Sequence, residues 1–122
     1  MLMKNSEIYN YAQALVGAFQ DNNQRLPVKI NFYLQKNKKT LLSLSQDIEQ
    51  SRLEIAQNYG TINEEGTAYT IPEENIAAVN NEIQDLLNIE QEVPIYQVSI
   101  DSFSDDLTLT TAQMEAIMFM ID

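Results

Sequence analysis

Between Leu26 and Tyr59 apolar residues recur every three or four positions. Ile30, Leu34, Leu41, Leu44, Ile48 and Ile55 share one stripe, which Asn37 and Ser51 interrupt and which ends at Tyr59. That spacing predicts one long amphipathic helix over about 27–59, with Pro27 in its first turn, where a missing N–H costs nothing. At ~1.5 Å per residue the helix runs about 50 Å, longer than a domain of this size is wide. Part of it must therefore project or be covered by another chain. Val28, Ile30, Phe32 and Leu34 also alternate like a half-buried strand that would end near Gln35. The continuous helix is favoured, because Lys36–Lys39 contains no Gly or Pro to turn the chain.

The flanking patterns are shorter. Met1–Lys4 fits an edge strand, followed by Asn5 as N-cap of a helix over about 5–20, with Glu7 in its first turn. Ile8, Ala12, Leu15 and Phe19 form its inner stripe, and the polar Asp21–Arg25 reads as a loop. Gly60 suits a left-handed stop to the long helix. An Asn-Glu-Glu-Gly turn then predicts a hairpin over about 60–71. Thr70-Ile-Pro-Glu73 matches a capping box opening a helix over about 72–88, with Ile76, Val79, Ile83 and Leu86 or Leu87 inward.

Residues 92–100 alternate as an edge strand, with Pro94, Tyr96, Val98 and Ile100 on one side and Val93 and Ile95 on the other. Thr110-Thr-Ala-Gln113 is a second capping box, opening a helix over about 110–121. Its expected buried face is Met114, Ile117, Met118 and Ile121, leaving Phe119 and Met120 on the flank as contact residues. The expectation is a single α+β domain, predominantly helical. One long central helix is joined by two or three shorter helices and a small sheet or hairpin.

Composition narrows the chemistry. There is no Cys and no His, which removes disulfides, thiolate metal sites and the usual neutral-pH proton shuttle. Adjacent acids such as Glu64 with Glu65, or Glu73 with Glu74, point in different directions and make poor acid–base pairs, so no catalytic residue is expected. Asp101, Asp105 and Asp106 lack the ligand spacing, turn glycine and closing Glu of a calcium loop and are expected to be solvated. With three glycines in the chain there is no phosphate-cradling loop, and neither a cofactor nor a metal is expected. No apolar run is long enough for a membrane span. The first residues lack the apolar core of a secretory signal, so a cytosolic protein is expected.

The charge of −11 is unevenly distributed. All seven Lys and Arg precede Gly60, where they face five acids, whereas thirteen acids and no base follow it. Such a field repels nucleic acid and anionic membranes, and attracts either a basic partner or the chain's own basic segment. Glu73, Glu74, Glu82 and Asp85 are the candidate partner-binding acids. If Lys29, Lys36, Lys38 and Lys39 met the acidic helix that carries them, the end of the long helix from Ser45 to Tyr59 would be left free.

Several segments together resemble a family. They are the opening MLMKNSEIYN, LPVKINFYLQKN, the SRLEIAQNYG and NEEG junction, LLNIEQEVPIYQVSI, and the closing LTTAQMEAIMFMID. The family is one of small proteins from tailed phages and prophages of Gram-positive bacteria, known as a domain of unknown function. Its members carry a richer charged mixture along the long helix, where this chain has Ser, Gln and Asn. The resemblance implies a phage-encoded protein acting in the host bacterial cytoplasm during infection or lysogeny, or carried in the virion.

Two functions follow. The first is a non-catalytic accessory of tail or baseplate assembly that binds a phage or host protein, or pairs with itself, through the long helix. The second is an acidic inhibitor, a nucleic-acid mimic, of a host defence or nucleic-acid-binding protein. Direct binding to nucleic acid or to membrane is expected of neither.

Overall fold

A computed structural model describes residues 1–20, 26–104 and 107–122. In chain order the elements are β1 (Leu2–Lys4), α1 (Asn5–Ala18), α2 (Val28–Tyr59), β2 (Thr61–Ile62), β3 (Tyr69–Thr70), α3 (Ile76–Asn88), β4 (Glu90–Glu92) and α4 (Thr111–Ile117). Short 3-10 turns precede α3 at Glu73–Asn75 and extend α4 at Met118–Met120. The fold is α+β and predominantly helical, built on one long central helix with two small antiparallel sheets. The predicted loop over Asp21–Arg25 lies outside the described residues.

The apolar period of the sequence is carried directly into α2. Ile30, Leu34, Asn37, Leu41 and Ile48 are buried along one face, and Leu44, Ser51, Ile55 and Tyr59 continue it half-buried. Val28–Leu34 is therefore helix and not strand, the outcome that a 3.6-residue stripe unbroken by glycine requires. α1 supplies Ile8, Ala12 and Leu15 to the same core, and β1 adds Met3. Val93, Val98, Ala116, Ile117 and Met120 close it. Burying each large aliphatic side chain contributes about 1.5–3 kcal/mol, so this seam is the main source of stability.

α1 lies along α2, with the Tyr9 hydroxyl donating to Glu49. Asn5 is not the N-cap that its type predicts. Lys4 holds that place, and its backbone N–H donates to Glu7 Oε1 at 3.0 Å. Asn5 is buried instead and joins three elements. Its Nδ2 donates to the Leu86 carbonyl at 2.9 Å, its Oδ1 accepts from Gln91 Nε2 at 2.7 Å, and its backbone N–H donates to Ile89 O at 2.9 Å. Those bonds draw β4 beside β1, in the register Leu2↔Glu92, Met3↔Gln91 and Lys4↔Glu90.

The end of α2 is built by close approach. Gly60 ends the helix with φ −122 and ψ 175, extended and not left-handed. A Cβ there would lie 2.7 Å from Ile71 Cδ1 and 2.9 Å from each of the carbonyl oxygens of Ala56 and Thr70. Glycine is thus required by space, because the returning hairpin presses on the last helical turn. Gly66, at φ 72, is the residue that uses glycine's conformational freedom, in the turn where Asn63 Oδ1 accepts from Thr67 N at 2.9 Å. Thr70 pairs with Thr61 in the hairpin, so the predicted capping box at Thr70 does not form and Pro72 precedes the 3-10 turn instead. Ile76, predicted inward, is 45% exposed because it follows that turn and not a regular helical start.

Asn75 Nδ2 donates to the Tyr59 carbonyl at 3.0 Å, tying the start of α3 to the end of α2. Asn5 ties the last turn of α3 to the start of α1, which itself lies beside Glu49. α3 therefore returns along the second half of α2. One face of Ser45–Tyr59 is covered where its full freedom was expected, while Gln46, Gln50 and Leu53 on the other faces stay exposed, and the acidic helix lies at the opposite end from Lys29 and Lys36.

Candidate interaction surface

The first turns of α2 divide sharply. Ile30 and Leu34 are buried, while on the other side Val28 is 88% exposed and Phe32 53% exposed. Helical spacing sets cations over rings. Lys29 Nζ lies 5.8 Å from the Tyr33 ring centroid, and Lys36 Nζ lies 5.5 Å from that of Phe32, each one helical turn apart along the face. Exposed contacts of this kind contribute about 0.5–1 kcal/mol each, enough to order the lysines without neutralising them. Phe32 and Tyr33 are tilted at 6.1 Å, and Tyr96 stacks on Tyr33 at 5.1 Å and 22°.

Tyr96 reaches this face because Asn37 holds its backbone. Asn37 is fully buried, accepts from Tyr96 N at 2.8 Å and donates through Nδ2 to Tyr96 O at 2.9 Å. One side-chain amide thus takes the place of a neighbouring strand. This is also why the predicted strand over residues 92–100 does not form: β4 occupies Glu90–Glu92, and pairing with the chain start ends at Val93, which exchanges hydrogen bonds with Met1. Pro94 has no N–H to donate, and the next backbone pair is satisfied by Asn37. Pairing resumes at Val98, which bridges in parallel to Ile121. Val93 and Val98 are buried, whereas Tyr96 and Ile100 are 47% and 52% exposed, so the expected two-residue alternation fails across this clamp. Asn37 stood out in the sequence as a polar break in an apolar stripe. A buried amide at such a place signals a clamp, which the apolar spacing alone does not report.

The acidic candidates are placed as free surface. Glu73 and Glu74 lie on the 3-10 turn, Glu82 and Asp85 on α3, and all four are exposed. Among the described residues the ion pairs are the Met1 ammonium with Glu92 at 3.1 Å and Arg52 with Glu49 at 3.3 Å, so none of the four is paired.

The terminal helix corrects two expectations. Met120 is fully buried and Met118 is 61% exposed, the reverse of the predicted arrangement, and Met114 is 37% exposed. The predicted capping box does form, with Gln113 N donating to Thr110 Oγ1 at 3.1 Å and Thr110 N to Gln113 Oε1 at 3.0 Å. However, the last turn tightens to 3-10, which sets Met120 directly behind Ile117. Met120 is consequently a core residue and unavailable as a contact. Phe119 is half-buried and stacks on Tyr11 at 4.7 Å. Buried Gln113 donates through Nε2 to the Ala18 carbonyl at 3.1 Å, closing the end of α1.

Between α1 and α2 lies a groove of about 440 Å³, lined by Tyr9, Gln13, Leu42, Gln46, Gln50 and Leu53 among others. Burial first, and then the hydrogen bond to Glu49 and its charge, hold the Tyr9 phenol above its ordinary value. At neutral pH Tyr9 is a donor and not a base. Ser45 and Glu49 complete the lining, and the Ser45 hydroxyl has no hydrogen-bond partner among the described residues.

No group of three acids able to hold a metal occurs among the described residues, and the Asp105 and Asp106 members of the predicted loop cluster lie outside them. Among those residues no helix is long and apolar enough to cross a membrane. The chain matches no family model, no curated protein and no solved structure.

Proposed function

We propose that this chain is a non-catalytic binding protein whose contact surface is the exposed aromatic and basic face at the start of α2. The carrying observation is Val28 at 88% and Phe32 at 53% exposure on a helix whose opposite side is fully engaged in the core. Large apolar groups held rigidly in water have no role in folding, and ordered rings flanked by cations are the composition of interface anchors. In keeping with the family resemblance, the role is that of a phage-encoded accessory of tail or baseplate assembly, acting in the host bacterial cytoplasm or carried in the virion.

The test is made in a lysogen or infected cell that encodes the chain, by quantifying it in purified particles and tail assemblies. The expected result is co-sedimentation with those assemblies, reduced at least about tenfold by Val28→Ser with Phe32→Ser, the size expected for loss of anchor residues. Absence from every assembly, or equal retention of the double variant, would contradict the proposal.

A second reading has its own support. Glu73, Glu74, Glu82 and Asp85 are exposed acids with no ion pair among the described residues, suited to the basic channel of a nucleic-acid-binding host protein. It requires binding that weakens as salt rises, and as those residues are changed to Gln or Asn.

A further inference from the structure

The two ends of α2 carry complementary surfaces that one molecule cannot bring together. At the start are Val28, Phe32, Lys29 and Lys36, with apolar anchors exposed and lysines lacking any ion pair among the described residues. Beyond the other end the hairpin and 3-10 turn present Glu64, Glu65, Glu73 and Glu74, all exposed, together with Ile62 at 53% and Ile76 at 45% exposure. Each end therefore offers apolar groups and one sign of charge.

Lys36 and Tyr59 are separated by 23 positions of continuous helix, about 35 Å along the axis. That is roughly four times the ~8 Å over which charges act at physiological salt. Attraction between the ends within one chain is thus screened away, and a rigid helix prevents their approach. A second copy is under no such restriction.

We infer that the chain associates with itself head to tail, the aromatic and basic start of α2 in one copy receiving the acidic, isoleucine-bearing end of the next. The inference rests on the binding reading above and names its occupant. The contact uses two different patches, so copies docked in line build chains or a ring, whereas a side-by-side antiparallel pair would satisfy both contacts at once and stop at a dimer. The overall charge of −11 does not prevent this contact. With neighbouring copies docked end to end, most of that repulsion lies beyond the screening length, while the touching ends are opposite in sign.

The test is sedimentation velocity on the pure protein at ~0.15 M salt, the ionic strength to which the screening length above applies, over a concentration series reaching millimolar. Two variants are compared: Lys29→Glu with Lys36→Glu, and Glu73→Lys with Glu74→Lys. Wild type is expected to form a concentration-dependent series beyond the dimer. Each variant alone should lose at least about tenfold in association constant, as charge reversal at a contact predicts. An equimolar mixture of the two should recover alternating assembly, since the unaltered start of one copy meets the unaltered end of the other and the reversed charges at the second contact are again opposite in sign.

A wild type that stays monomeric or stops at a dimer, a variant that assembles like wild type, or a mixture that does not assemble would each overturn the inference. Circular dichroism of both variants separates these results from misfolding. If the pure protein is monomeric while the Phe32 variant still leaves phage assemblies, head-to-tail assembly fails and the binding reading stands.

Discussion

The start and the end of α2 are held in opposite ways. At the start, Asn37 fixes the crossing segment through two hydrogen bonds, and the side chains on the outer face are left in water. At the end, a glycine lets the hairpin press on the last turn, and Asn75 ties α3 back over the helix. The first arrangement is a clamp that displays rings and lysines. The second is a covered joint that displays carboxylates. One helix thus separates two chemistries by its length, and the bonds that secure each end decide what that end can show to another molecule.

Substitutions at the two fixings should distinguish these ends. Asn37→Ala removes both bonds to Tyr96 and leaves a buried gap, so an unfolding free energy lower by about 2–3 kcal/mol is expected in urea titration. The Tyr33–Tyr96 stack should be lost with it, read as a change in near-ultraviolet circular dichroism; an unchanged stack would mean that Asn37 is not the clamp. Gly60→Ala should cost about 1–2 kcal/mol through overpacking, because two of the three atoms it meets are backbone carbonyl oxygens that cannot swing away.

The hydroxyl of Ser45 lies between these fixings and is the buried side-chain polar atom without a hydrogen-bond partner among the described residues. Ser45→Ala should therefore raise stability by about 0.5–1 kcal/mol, removing an unsatisfied group and improving helix propensity together. A loss of stability at Ser45 would mean that its hydroxyl is satisfied. Glu73→Gln with Glu74→Gln should change stability least, by less than about 0.5 kcal/mol, as exposed residues without ion pairs do. A larger loss would show that the acidic end is structural and not displayed.

Local periodicity carried much of this in the sequence. The stripe from Ile30 to Tyr59 gave α2, the Asn63–Gly66 turn gave the hairpin, and Thr110 with Gln113 gave the start of α4. What was not legible depended on geometry beyond a single turn. Met118 and Met120 exchanged places because the last turn of α4 wound more tightly than a regular helix, which apolar spacing does not report. The segment after Val93 lost its ladder to a side chain nearly sixty positions away, at Asn37. The acidic helix does not meet the basic start of α2, because Asn75 and Asn5, at its two ends, tie α3 along the end of α2 that it has just left. Of the candidate contact residues, the four acids emerged at the surface and Met120 did not. Val28 and Phe32 read as members of a possible strand and gained significance only when the helix put them outside.

The most direct measurement pairs urea unfolding with sedimentation for Val28→Ser combined with Phe32→Ser, the unfolding being made at low protein concentration, where association does not contribute to stability. If the start of α2 is a contact face, unfolding free energy should fall by no more than about 1 kcal/mol, the size of the lost Lys36–Phe32 contact, since serine matches valine and phenylalanine closely in helix propensity and both sites are exposed. Association should fall at least about tenfold, the size expected for loss of anchor residues. A loss of about 2 kcal/mol or more in stability, the size of a buried-core deletion, or association equal to that of wild type, would contradict the assignment of this face to binding.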